Sequence, residues 1–460
     1  MTNEMGSQSI QDALTWNTQS NSANAMGVIR QDVPILITLP SAGVQSTSRS
    51  EKSGAASQSI SQAAFSFTSI IPDPGPPPNE APRTEEIPIS GEFGSIVFAE
   101  DEVFFATDLP TVFRGGSGTT IQNDGIVWLD TERIQVFFAV SFQPEINNTG
   151  TIYLKGNSQV SLNYGLARLE NSGDIFSISE AGWARVVQAN SFGLVENSGI
   201  IAAQTFQSTN FSGTGNATAI DSPNGVLINN SATGQILAEA PDLAIAILSN
   251  GSDLDTGDPS VTNFGLIEAQ ATTAEGISYG ILVSQVFGPA NGQPAFNQAT
   301  IVNHGTIRGE FAIFGTDGTS PRTNPVEQIF NEPGGVIDGT IFLDRGADLI
   351  ENEGLIIGTV LMGDGNDTFS NLGRVDGVVD LGWQEDLYEG SDFSDVATGN
   401  RGDDVLIGFG GNDLLLGAFG DDTLSGGADN DGLFGEFGND FILTFGADFV
   451  DGGTGSPEPR

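Results

Sequence analysis

GNRGDDVLIGFGGNDLLLGAFGDDTLSGGADNDGLFGEFGNDFIL, residues 399–443, repeats with a period of nine. An aspartate closes the polar half of every unit: Asp404, Asp413, Asp422, Asp431 and Asp440. A glycine opens each one, at Gly399, Gly408, Gly417, Gly426 and Gly435, and a second follows at Gly402, Gly411, Gly420 and Gly438. In the fourth unit Asp429 stands where that second glycine is expected. Two residues after each aspartate comes an aliphatic side chain: Leu406, Leu415, Leu424, Leu433 or Ile442. A glycine-rich turn can bend its carbonyls inward, and the aliphatic residue then begins a short strand facing a core. Two units make one turn of a flattened coil, so loops on one edge stack and so do their carboxylates.

Stacked carboxylates repel one another unless a cation lies between them. Calcium is a hard ion that takes six to eight oxygens, and carbonyls with a carboxylate are the donors it prefers. Binding and folding of this segment are therefore expected to be coupled.

Upstream, the nine-residue register of acids continues through Asp395 and Asp386 without the full glycine pattern. Before that lie units of 19 residues opening at Gly339, Gly358 and Gly377, with Asp348, Asp367 and Asp386 at the same place in each. Gly363 and Gly365 precede Asp367, which makes that loop a further candidate metal site. Asn352 and Asn371 follow four residues after the acid in the first two units. This stretch reads as a hybrid, with a calcium-type loop on one side and an Asn-Gly turn on the other.

The Asn-Gly turn recurs much earlier: IQNDGIV (Asn123), INNTGTI (Asn148), LENSGDI (Asn171), VENSGII (Asn197), VTNFGLI (Asn263) and IVNHGTI (Asn303), with looser copies at Asn230 and Asn331. Both residues tolerate a left-handed backbone, and the reading assigns them to sharp turns on that ground. Stacked asparagines can hydrogen-bond along a coil. Short apolar strands such as 244–248 and 281–283 lie between, and no amphipathic helical period is evident. Coils that cannot bury an apolar face alone do so by stacking. The expected fold is all-β: a right-handed parallel β-helix over 93–338, transitional coils over 339–398 and a parallel β-roll over 399–460. An antiparallel sandwich is the competing reading. Residues 1–92, rich in Ser, Gln, Asn, Thr and Ala and ending in a proline-rich run, read as a disordered arm and stiff linker.

The chain has 59 acidic and 15 basic residues, a formal net charge of −44, and no cysteine. That charge argues against nucleic acid and anionic membranes and favours a cation as partner. Disulfides and thiolate metal sites are excluded. No segment is apolar for long enough to span a membrane. Met1 to Arg30 has neither a basic start nor an apolar run, so no Sec-type signal is expected there.

The nonapeptides resemble the RTX family, the haemolysin-type calcium-binding repeat proteins. The resemblance covers residues 358–455. It implies calcium bound by loop carbonyls and by Asp404, Asp413, Asp422, Asp431 and Asp440, with Asp367, Asp386 and Asp395 as further candidates. It also implies an extracellular protein exported by type I secretion. The family's C-terminal export signal is not evident where Gly452 to Ser456 runs into Pro457.

Enzymatic signals are weak. Gly276 to Gly280 spells G-x-S-x-G, but a strand continues through it and the single histidine, His304, sits in an Asn-Gly turn. One histidine also excludes H-E-x-x-H. A β-helix joined to RTX repeats is the architecture of alginate epimerases, but Arg133, Arg168, Arg185, Tyr164 and Tyr279 form no recognisable cluster. Trp128, Trp183 and Phe211 read as exposed aromatics that could stack on sugars, but such residues are more often core or edge cover. The expectation is a secreted, non-catalytic calcium-binding protein, a surface component or adhesin whose partners are calcium and possible extracellular polysaccharide. A polysaccharide-active enzyme is the alternative.

Overall fold

The computed structural model describes residues 87–88, 95–107, 111–115, 120–131, 136–140, 145–156, 160–180, 182–207, 215–222, 226–249, 260–284, 298–316 and 326–453. Of the expected N-terminal arm, Ile87–Pro88 is a described strand, paired in parallel with Thr111–Gly115 rather than part of a disordered linker; the rest of the arm, Arg133 and Phe211 lie outside the described residues. The described chain is a right-handed coil of parallel strands with no helix. Accordingly no helix among the described residues is long and apolar enough to cross a membrane.

Strands fall into three columns. Column A begins at Ser95–Phe98 and Thr120–Asn123 and carries the asparagines at its strand ends. Column B follows the Asn-Gly turn, as in Ile126–Thr131. Column C completes the coil, as in Asn216–Ser222 and Leu243–Ser249. Each strand pairs in parallel with the same column of the next coil: Ile121 opposite Ile146, Ile228 opposite Val261, Ile350 opposite Phe369. Alternation of side chains along a strand sends these residues inward, and one continuous core runs from Phe98 to Leu433. The alternating period decides for parallel coils because every inward residue meets its counterpart one coil away.

Column B ends at Arg374–Asp376. Columns A and C continue alone, through Thr423–Ser425 and Gly432–Phe437, to Phe441–Leu443 and Phe449–Asp451. Loss of one strand per coil flattens a three-sided helix into a two-sided roll. Leu406, Leu415, Leu424 and Leu433 are fully buried in the roll's core, as their place after each aspartate requires.

The expected reason for the Asn-Gly turns is corrected. None of Asn123, Asn148, Asn171, Gly125, Gly150 or Gly173 has positive φ. The glycine is needed for close approach between coils: a Cβ on Gly173 would lie 2.0 Å from the carbonyl oxygen of Gly150.

Candidate metal centre

The column A asparagines form one ladder. Asn148 Nδ2 donates to Asn171 Oδ1 at 2.7 Å, Asn197 to Asn230 at 2.9 Å and Asn263 to Asn303 at 2.9 Å. The run continues to Asn352 donating to Asn371 at 2.7 Å. All amides point the same way. At the first rung Asn123 Oδ1 is buried without a donor, because Phe98 occupies the preceding rung. At the last rung Asn371 Nδ2 faces the carboxylate of Asp395 at 3.4 Å. The donor end of the ladder thus meets the first acid of the roll on that edge.

On the opposite edge a ladder of carboxylates runs through both the 19-residue coils and the nonapeptides. The backbone N–H of Asp348 donates to Asp367 Oδ1 at 2.7 Å, that of Asp367 to Asp386 at 2.7 Å, and that of Asp386 to Asp404 at 2.8 Å. Asp404 and Asp422 extend it to Asp422 and Asp440 at 2.9 and 3.0 Å. On the Asn-ladder edge a second carboxylate ladder joins Asp395, Asp413, Asp431 and Asp448. Each link uses one oxygen. The other, Oδ2, has no hydrogen-bond partner and is shut off from solvent in Asp367, Asp386, Asp404, Asp413, Asp422, Asp431 and Asp440.

Asp395 differs. Its Oδ2 accepts from the Ser391 backbone N–H at 2.8 Å and the Ser391 hydroxyl at 3.1 Å, and its Oδ1 accepts from Asn371. Of the sequence-derived candidates it is the one whose carboxylate is satisfied by protein donors.

The loops are shaped around the free oxygens. A Cβ on Gly399, Gly408, Gly417, Gly426 or Gly435 would fall 2.1–2.3 Å from Oδ2 of the aspartate five residues on. Gly402, Gly411, Gly420 and Gly438 take φ of 139°, 102°, 143° and 151°, which side chains disfavour. Asp429 adopts the left-handed turn at φ 81° in place of glycine, so its loop closes despite the substitution. Gly363 takes φ 102°, and Gly365 lies so close to Gly346 that a Cβ there would overlap its carbonyl oxygen.

Burial drives these acids toward the neutral form. It pushes the Asp367 carboxyl up to about 8, Asp386 to about 9, Asp413 to about 8, and Asp404 and Asp422 to about 7. Neighbouring carboxylates in the ladder add to the shift, and the backbone N–H donors oppose it. Asp431, Asp440 and Asp395 are raised for the same first reason. A divalent cation at the free oxygens would supply the missing charge and coordination. Among the described residues no three acidic or histidine side chains gather into a cage. One carboxylate per loop suits an ion whose remaining donors are main-chain carbonyls, which is a calcium donor set.

The other candidates separate from this centre. Ser278 of the G-x-S-x-G stretch is buried within the strand Ile277–Ser284. His304 stacks on Phe264, ring centroids 4.3 Å apart. Arg168 bridges Glu170 and Glu196, and Arg185 pairs with Asp221 at 3.2 Å. Tyr279 packs against Phe311 and Phe314. Tyr164 lies in the strand Val160–Asn171. Trp128 is a correction: it is 3% exposed and stacks on Tyr153 at 4.0 Å, whereas Trp183 is exposed as expected.

Residues 389–424 and 408–442 match the model of the RTX calcium-binding nonapeptide repeat. No curated protein and no solved structure matches the chain. The stacked loops within residues 389–442 are thus RTX calcium-binding repeats, built onto the end of a parallel β-helix.

Proposed function

We propose that this chain is a secreted, non-catalytic calcium-binding protein in which metal folds the roll and the β-helix serves as a rigid surface for attachment. The observation carrying the reading is the row of buried carboxylate oxygens without partners, Asp404, Asp422 and Asp440 on one edge and Asp413 and Asp431 on the other. An unpaired buried carboxylate is costly, and calcium at extracellular concentration removes that cost. Inside cells, where calcium is scarce, the same segment would stay unfolded, which suits export of an unfolded chain.

The last column B strand, at Arg374–Asp376, supports treating 339–398 as a transition within one coil and 399–460 as its metal-dependent end. For the β-helix, a groove of about 570 Å³ runs over the Asn turns between Gln122 and Phe264. Its amide, hydroxyl and acid lining suits a neutral glycan better than an acidic one. Among the described residues Arg168, Arg185 and Arg308 all face carboxylates, which speaks against chemistry on a uronate.

Circular dichroism tests the core of this reading. In chelator, residues 340–460 should lack strand signal and gain it as calcium rises through roughly 0.1–1 mM, the range of extracellular sites. A spectrum indifferent to calcium would overturn it. Asp413→Ala with Asp422→Ala should shift the transition to higher calcium.

A further inference from the structure

We infer that the calcium column extends up one edge beyond the nonapeptides, into the 19-residue coils that end at Asp367 and Asp386, and is closed off on the other edge at Asp395. This deepens the proposed function and rests on it. The family match starts at residue 389, so these coils lie outside it.

Three features of the nonapeptide edge persist upstream. The first is the carboxylate link, unbroken from Asp348 to Asp440. The second is loop stacking. Gly346 N–H donates to the Asp364 carbonyl at 2.9 Å and Gly365 N–H to the Trp383 carbonyl at 3.0 Å. Gly402 and Gly420 do the same to Phe419 and Phe437 at 2.9 and 3.0 Å. The third is the free oxygen. Asp367 and Asp386 are 2% and 4% exposed, and Oδ2 of each has no partner. With Oδ1 held by the backbone of the preceding coil, Oδ2 is left for the loop interior.

One feature changes. Met362 and Leu381 replace the opening glycine and bury their side chains in the core. The carbonyl that a loop offers does not depend on that side chain. Gly363 and Gly382, at φ 102° and 107°, keep the turn.

The other edge behaves oppositely. Ser391 and Asn371 occupy both oxygens of Asp395, so the Asn ladder ends on a carboxylate that needs no ion. The candidate sites lie between the loops of Asp348 and Asp367, and between those of Asp367 and Asp386.

Calcium titration of the full chain, read by hydrogen exchange and by bound calcium per chain, tests this. Calcium should protect Leu349–Asn352 and Thr368–Asn371 as well as the roll. Asp367→Asn keeps an acceptor for the Asp348 N–H and replaces the free oxygen with an amide. It should lower bound calcium and abolish calcium-dependent protection at these two strands, while Thr423–Ser425 still responds. Asp395→Asn should leave bound calcium unchanged. Terbium luminescence excited through Trp383, three residues from Asp386, should fall at least twofold in Asp367→Asn and vanish in Trp383→Phe. Calcium protection confined to residues after 389, or an unchanged calcium count in Asp367→Asn, would overturn the inference and leave the roll intact. No response anywhere would overturn the proposed function with it.

Discussion

Asn263 shows how much one ladder residue carries. Its Nδ2 donates to Asn303 Oδ1, to the Gly265 carbonyl at 3.2 Å and to the Thr306 carbonyl at 3.1 Å, while its Oδ1 accepts from Asn230 at 2.8 Å. Each buried group left unpaired costs about 1–3 kcal/mol. Asn263→Ala should therefore weaken the local coils by about 2–4 kcal/mol, seen as faster hydrogen exchange in Val261–Asn263 and Gln298–Asn303. In the roll, glycine and non-glycine positions should respond in opposite directions. Ala418 sits at φ 79°, a conformation that costs a non-glycine residue about 1–2 kcal/mol. Ala418→Gly should raise the melting temperature of the calcium-loaded chain. Gly420→Ala should lower it by more, because φ there is 143° and a Cβ would overlap the Gly402 carbonyl oxygen.

At the scale of the element, the carboxylate ladder sets the pH dependence. With Asp386 near 9, Asp367 and Asp413 near 8 and Asp404 and Asp422 near 7, the metal-free folded roll holds more protons than the unfolded chain. Its stability therefore falls as pH rises from about 4, the ordinary carboxyl range, through these raised values. In chelator, strand signal should be stronger at pH 5 than at pH 8. With calcium the order reverses, because the ion binds the deprotonated form and competes with protons. A metal-free roll that gained strand on alkalinisation would contradict this account. The residue before each aspartate acts separately, on the solvent side: Asp421 N–H donates to Asp403 and Asn439 N–H to Asp421, each at 2.8 Å.

Across the whole molecule, stability should be graded along the axis, as in other stacks whose units touch only their neighbours. The Asn ladder is built from neutral amides and needs no ion. Calcium removal should open the coils from the Asp348 loop onward while the core around Ile228, Val261 and Ile301 keeps its protection. Hydrogen exchange with and without chelator checks this, and simultaneous loss of protection in both regions would show a single cooperative unit. The junction at Asn371 and Asp395 is where the two kinds of edge meet.

Much of this was legible in sequence because both architectures repeat. A fixed period puts like residues in register, so Asn above Asn and Asp above Asp follow from spacing and parallel pairing alone. The buried leucines after each aspartate, the stacking of Asn352 on Asn371 and the RTX character of residues 389–442 were readable for that reason. What spacing does not carry is the contact between coils. The turn glycines looked suited to a left-handed backbone, yet they serve close approach to a neighbouring carbonyl, a distance that exists only once coils stack. Trp128 looked like a surface aromatic, but Tyr153 covers it from the next coil. Asp395 shared the register of its neighbours, and only the folded chain brought Ser391 and Asn371 to both of its oxygens. Periodicity determined which residues would stack; tertiary structure decided which of the stacked acids were left with an oxygen to offer a metal.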